Sequence, residues 1–205
     1  MLMDKAPIYG LILAGGKSTR MGKDKSTLCY HAKMQVEYAY DLLLTCCPKV
    51  FVSNRPDQSE LTGHKDLPQL HDLPQYSGKG PLSGILSAMD RYPCVAWLVV
   101  ACDLPFLTSK ACADLIKERD PNKIATAFIS VYDQLPEPLC AVWEPAAKKV
   151  VLDSFNKGVL CPRKVLIQTG AHLIKPHDPH WLDNVNDPEG SKQACDELNR
   201  RQRTP

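Results

Sequence analysis

The sequence has little that points outward to a membrane or to a large polyanion. It contains no long apolar run; the longest, Val95 to Cys102, is far too short to cross a bilayer. The opening segment, Met1-Leu2-Met3-Asp4-Lys5-Ala6-Pro7, has no extended apolar core of the kind that directs secretion. These absences set the expectation of a cytoplasmic protein with no membrane partner. An excess of one charge is also missing, because 25 basic residues meet 23 acidic ones for a net charge of +2. No global field draws in nucleic acid, so any anion has to be held by a local site. Nine cysteines are present but no Cys-x-x-Cys pair. They read as reduced thiols, with Cys94, Cys102, Cys112 and Cys140 packing as small apolar side chains. His172, His177 and His180 are interrupted by Pro176 and Pro179, and no cysteine lies near them, so a metal centre is not expected there.

A chain of 205 residues, 44% of them hydrophobic, suits one α/β domain with a substantial core. Its most informative stretch runs from Ile8 to Lys25. Ile8 to Leu13 is apolar and branched, the pattern of a short buried strand. From Ala14 the residues become small, flexible and cationic. Gly15, Gly16 and Gly22 leave room for a ligand against the main chain, so consecutive N–H groups can converge on anionic oxygens. Arg20 supplies a forked cation and Lys25 a compact one. The loop is neither a Rossmann fingerprint nor a P-loop. Gly16-Lys17-Ser18 imitates the end of a P-loop, but Leu11 stands where that motif needs its first glycine.

Further along, Ala32 to Cys46 predicts a helix stopped by Pro48, and Lys49 to Ser53 a second strand. Strand, helix and strand at this spacing form a right-handed βαβ unit, hence a parallel sheet with the glycine loop at its ligand-binding edge. Leu67 to His71 predicts a short third strand. Tyr76 to Gly84 is a second glycine-rich turn, with Pro81 opening a helix through Asp90. Val95 to Cys102 reads as a central strand buried on both faces, ending in the carboxylate of Asp103. A carboxylate there suits Mg²⁺, which takes one or two carboxylates together with substrate phosphates; it also suits a cap on the turn that follows. A helix from Thr108 or Ser109 to Glu118, a strand from Ile124 to Val131, a Pro-rich loop over Asp133 to Pro138, a strand from Leu139 to Trp143 and a helix from Pro145 to Phe155 complete the pattern. Asp187 and Pro188 open a terminal helix, and the tail from Arg200 to Pro205 is expected to fray.

The string Leu13-Ala14-Gly15-Gly16-Lys17-Ser18-Thr19-Arg20-Met21-Gly22-Lys23-Asp24-Lys25 resembles the signature loop of nucleotidyltransferases that share the sugar-nucleotide pyrophosphorylase fold, and within them the molybdenum cofactor guanylyltransferases. Four later segments resemble that family in order. They are Gly80-Pro81-Leu82-Ser83-Gly84-Ile85, Cys102-Asp103-Leu104-Pro105, Pro138 to Trp143, and Asn184-Val185-Asn186-Asp187-Pro188-Glu189. Two positions depart from the pattern: Lys23 replaces a glycine and Asp187 a threonine.

The resemblance implies a three-layer, Rossmann-like α/β fold of the nucleotide-diphospho-sugar transferase type, with a mostly parallel central sheet and helices on both faces. It implies a single domain over 1–205, whose nucleotide half ends near residue 131 and whose acceptor half begins near 132. The activity implied is Mg²⁺-dependent transfer of GMP from GTP to molybdopterin. Arg20, Lys25 and Asp103 would be catalytic, and Asp103 and Asn186 would hold the metal. The nucleotide would meet Leu13, Ala14, Gly15, Gly16, Lys25, Asn54, Asp72, Gly80, Pro81, Leu82 and Asp103. Arg163 and Lys164 would hold the acceptor phosphate, although a solvated basic helix face explains those two equally. The resemblance allows transient contact with proteins that deliver the cofactor or mature molybdoenzymes. Rival readings are a cytidylyltransferase on the same pterin, a sugar-phosphate nucleotidyltransferase and a non-catalytic nucleotide-binding regulator. Gly15 favours guanine over the first of these, since the resembling cytosine users tend to carry alanine there.

Overall fold

The computed structural model describes residues 5–16 and 24–203. Seven strands form one sheet: β1 (Ile8–Leu13), β2 (Val50–Ser53), β3 (Gln69–Leu70), β4 (Ala96–Ala101), β5 (Ala125–Ile129), β6 (Pro136–Trp143) and β7 (His172–Ile174). Their spatial order is β3-β2-β1-β4-β6-β5-β7. All neighbours are parallel except β6, which runs antiparallel to both β4 and β5. The helices are α1 (Gln35–Leu44), α2 (Pro81–Arg91), α3 (Ser109–Lys117), α4 (Ala147–Asn156), α5 (Pro162–Thr169) and α6 (Pro188–Arg203). Among the described residues no helix is long and apolar enough to cross a membrane.

The three layers follow from side-chain alternation along the central strands. In β4, Ala96, Leu98 and Val100 pack with α1 and α3, while Trp97 and Val99 face the opposite way onto α2 and α4. β6 repeats the division, with Cys140 and Val142 on the first side and Ala141 and Trp143 on the second. A small third cluster, Tyr30, Val185, Ala194 and Leu198, attaches α6 outside these two. Arg119 and Glu144, both almost wholly buried, form a two-pronged ion pair, and Arg119 Nη1 also donates to the Ala6 carbonyl just before β1.

Register places the ligand edge. Leu13, at the end of β1, lies beside Ser53 of β2 on one side and Ala101 of β4 on the other. The loops that leave these three strands therefore emerge together. This is the crevice at the carboxyl ends of parallel strands where open α/β sheets bind ligands.

Several element bounds differ from the sequence expectation for identifiable reasons. The first helix begins at Gln35 rather than Ala32, because Ala32 takes a left-handed φ of 57° and Cys29 pairs with Met34 before the helix starts. The expected Pro-rich loop is partly strand: β6 already begins at Pro136. Prolines are tolerated there because β4 pairs with β6 only from Cys140 onward, and the β5 register is broken between Ala127 and Ile129. The boundary expected near 131 and 132 falls within the β5–β6 connection of the continuous sheet. The edge strand β7 is too short to show a pattern in sequence. The α6 helix continues through Arg203, where fraying from Arg200 was expected. Cys102, Cys112 and Cys140 are buried as expected, but Cys94 is exposed just before β4.

Candidate active site

The three loops enclose a cavity of about 760 Å³. Its wall includes Leu13, Ala14, Gly15 and Gly16 from β1 and its loop, Ser53, Asn54 and Arg55 from the end of β2 and its loop, and Cys102 and Asp103 after β4. Asp72, Gly80, Pro81 and Lys25, also expected at the nucleotide, line it too, as does Asn186, expected at the metal. Leu82 is the exception. Its side chain has no exposed surface and packs in the core beneath α2, so it supports the wall from behind. Arg20 lies outside the described residues, as do Gly22 and Lys23.

The charged centre is Lys25. Its Nζ donates to Asp103 Oδ2 at 3.1 Å and to Asn186 Oδ1. Residues 78 and 161 positions away in sequence thus share one ammonium. Lys25 sits on a 3-10 turn, Lys25–Thr27, capped by Asp24, whose carboxylate accepts from Ser26 N. Asn186 is brought in where the segment before α6 crosses the β4 loop, with Val185 N donating to the Asp103 carbonyl. Asp187 Oδ1 caps α6 by accepting from Gly190 N at 2.8 Å.

One carboxylate oxygen and one amide oxygen already embrace a cation, so the donor set fits a hard divalent ion such as Mg²⁺. Asp72, at the far wall, is partly desolvated, and burial raises its carboxyl above the ordinary range.

Two glycines explain how α2 comes so close. Gly80 has φ 86° and ψ −160°, a conformation open essentially to glycine alone, and it ends the second loop just before Pro81. A Cβ at Gly84 would stand 2.4 Å from Ser53 Oγ and 3.0 Å from Leu13 Cδ2, so the first turn of α2 packs directly on the strand ends.

Arg55 and Gln58 were missed by sequence reasoning. Arg55 Nη1 donates to the carbonyls of Gly15 and Gly16 at 2.7 and 2.9 Å, while its other nitrogens pair with Asp57. Gln58 Nε2 donates to the Ala14 carbonyl and to Asp24 Oδ2. These bonds tie the backbone of Ala14, Gly15 and Gly16 to the segment after β2. The available signal was position, since Asn54-Arg55 directly follows a parallel strand at the ligand edge.

The acceptor candidates lie elsewhere on that edge. Arg163 Nη1 and Nη2 pair with Asp133 and Glu137 at 2.8 and 3.0 Å, beside a smaller recess lined by Tyr132 and Asp183. Its charge is therefore already shared by two carboxylates, with which an arriving phosphate would compete. Lys164 is exposed on α5. Neither residue lines the main cavity. The three histidines are separate: His172 opens β7, His177 bonds Asp114, and His180 bonds Asp183.

Residues 10–168 match the family described as the MobA-like NTP transferase domain. A bifunctional molybdenum cofactor biosynthesis protein of Synechocystis is 40% identical over 187 residues, covering 91% of this chain and 53% of that protein. The chain thus spans about half the length of that relative. A protein of Bacillus cereus named a probable molybdenum cofactor guanylyltransferase is 25% identical over 194 residues, covering 92% of this chain and 96% of its own. Among solved structures, molybdopterin-guanine dinucleotide biosynthesis protein A of Archaeoglobus fulgidus superposes with a TM-score of 0.78 at 20% identity. The alignment covers 94% of this chain and 99% of that one, and it shows the common fold.

Proposed function

The chain belongs to the MobA-like NTP transferase family, and on that premise we propose that it transfers GMP from GTP to the terminal phosphate of molybdopterin. The observation that carries the reading is the meeting of Lys25, Asp103 and Asn186 at the mouth of the glycine loop. In the reaction an acceptor phosphate oxygen forms a bond to the α-phosphorus of GTP. The bond from that phosphorus to the bridging oxygen breaks, and pyrophosphate leaves with the electron pair. No side-chain nucleophile or added base is needed, because the acceptor is already an anion at neutral pH.

Lys25, the backbone of Gly15 and Gly16 and, from the motif, Arg20 stabilise the charge that builds on the leaving group. Arg55 and Gln58 keep the loop in the shape that lets its N–H groups do so. Asp103 and Asn186 are the residues that would hold Mg²⁺. When bound, the ion neutralises phosphate charge, a contribution of several kcal/mol in such sites. Asp72, Gly80 and Pro81 shape the nucleoside end of the cavity. Molybdopterin would approach from the side of β5 and β6, where Arg163 could exchange a carboxylate for its phosphate. Such an enzyme works in the cytoplasm and has no use for nucleic acid or a bilayer.

The experiment is pyrophosphate release from GTP and from CTP, each with and without molybdopterin. Release that requires both GTP and the pterin is expected. Release with CTP alone would point to the cytidylyltransferase reading, and none with either would point to a non-catalytic role. Asp103→Ala is expected to abolish Mg²⁺-supported transfer while leaving the thermal midpoint nearly unchanged. An active Asp103→Ala enzyme would place the metal elsewhere.

A further inference from the structure

We propose that His64 is a positioning residue whose two ring nitrogens hold Asn54 and the Lys25-bearing turn in fixed register across the nucleotide cavity. His64 has no exposed surface and does not itself line the cavity.

The hydrogen bonds around it leave a single consistent assignment. Gln69 Nε2 donates to the backbone carbonyls of Ser59 and His64 at 3.1 and 2.8 Å, so Gln69 Oε1 is an acceptor. It accepts from Asn54 Nδ2 at 2.9 Å, which fixes the orientation of the Asn54 amide. The same Nδ2 reaches His64 Nδ1 at 3.0 Å and can only donate, so Nδ1 is an acceptor and the proton of the neutral ring is on Nε2. Nε2–H then donates to Ser26 Oγ at 2.6 Å, and the Ser26 hydroxyl donates to Asp24 Oδ1 at 2.6 Å. The chain of donors runs one way, from the end of β2 to the cap of the turn that carries Lys25.

Two features give this relay a purpose at the cavity. Asn54 Oδ1 is buried and has no hydrogen-bond partner among the described residues, although Asn54 lines the cavity. A buried acceptor left in that state is costly, and an N–H or O–H of the bound nucleoside is the donor that would satisfy it. At the other end, Ser26 is wholly buried beside Lys25, so the bond from His64 anchors the residue next to the ammonium that meets Asp103. One imidazole thus secures the nucleoside side through Nδ1 and the phosphate side through Nε2. This inference rests on the GMP-transfer reading and deepens it.

Isosteres separate the two arms. In His64→Asn the Oδ1 atom replaces Nδ1 as acceptor for Asn54, and the bond to Ser26 is lost. In His64→Gln the Nε2 atom replaces the donor to Ser26, and the acceptor for Asn54 is lost. Steady-state transfer from GTP by the full chain reads both. His64→Gln is expected to raise KM for GTP about tenfold with kcat within about twofold, the scale of one hydrogen bond. His64→Asn is expected to lower kcat about tenfold with KM within about threefold, because the Lys25 turn loses its anchor. His64→Phe should combine both losses, and if it does not fold the two isosteres carry the test. In addition, Asn54→Ala combined with His64→Gln should bind GTP no more weakly than Asn54→Ala alone. Equal damage to kcat and KM in both isosteres would mean a purely structural histidine, and wild-type kinetics in His64→Gln would overturn the proposal outright. A wild-type chain inert toward GTP would instead defeat the functional reading itself.

Discussion

Replacing Lys25 with methionine removes one positive charge while keeping most of the side chain's reach. Lys25 and Asp103 are 17% and 22% exposed in their side chains, and Nζ also bonds Asn186. Water still reaches such a pair, so its contribution to folding is about 0–1 kcal/mol. In a chain of this size that shifts Tm by no more than about 4 °C. The effect on turnover is far larger. In the proposed reaction negative charge moves onto pyrophosphate as the phosphorus–oxygen bond breaks, and removing one preorganised charge-stabilising group is expected to lower kcat about 10² to 10³-fold. A second consequence distinguishes lost chemistry from a damaged site. Asp103 and Asn186 no longer share their oxygens with an ammonium, so the Mg²⁺ concentration giving half-maximal activity should stay constant or fall. The assay is pyrophosphate release from GTP and molybdopterin, with Mg²⁺ titrated against wild type and Lys25→Met in parallel. Wild-type turnover in the variant, or full recovery on raising Mg²⁺, would refute the reasoning.

Gly84→Ala should press on the strand ends. The Ser53 hydroxyl can swing aside, but Leu13 Cδ2 at 3.0 Å and Ser53 Cβ at 3.3 Å remain in the way. Overpacking costs about 1–3 kcal/mol, and better helix propensity returns about 1. A net loss of about 0–2 kcal/mol in urea unfolding is expected, with a raised KM for GTP. A variant more stable than wild type would contradict the close packing. Arg119→Met leaves Glu144 buried without its partner and should cost about 3–5 kcal/mol in the same measurement; a loss near zero would show that water reaches the pair. Acid should also weaken the fold. Burial holds the imidazoles of His31 and His64 below the ordinary value of 6.5, so the unfolded chain takes up these protons first as pH falls. Their stabilisation is complete above 6.5 and is lost as pH drops from there through their folded values. Urea midpoints measured on either side of 6.5 should fall on the acid side, and a flat profile would exclude the effect.

Much of the scaffold was legible because strand and helix signals are local. The β1 span was read to the residue, and α2 began at the proline that opens it. The β6 strand was read short because prolines normally argue against a strand, and only the uneven lengths of its neighbours make Pro136 and Pro138 acceptable. The contributions of Gln58 and His64 could not be read, and for Arg55 the sequence offered only its position after a strand. Each acts through backbone carbonyls or amide side chains, and which of those it meets depends on how the loops are stacked.

The sequence by itself determined the buried strands and the glycine loop after the first of them, and it offered Lys25 and Asp103 as candidates at the ligand edge. Apolar periodicity and glycine spacing act over a few residues, so they survive in one dimension. Only the tertiary structure decided that Lys25 lies against both Asp103 and Asn186, that Leu82 faces the core, and that Arg163 is already paired. Those outcomes depend on parallel register, which sets three strand ends side by side, and on the chain's return through α6. Contacts spanning 78 and 161 residues leave no local trace.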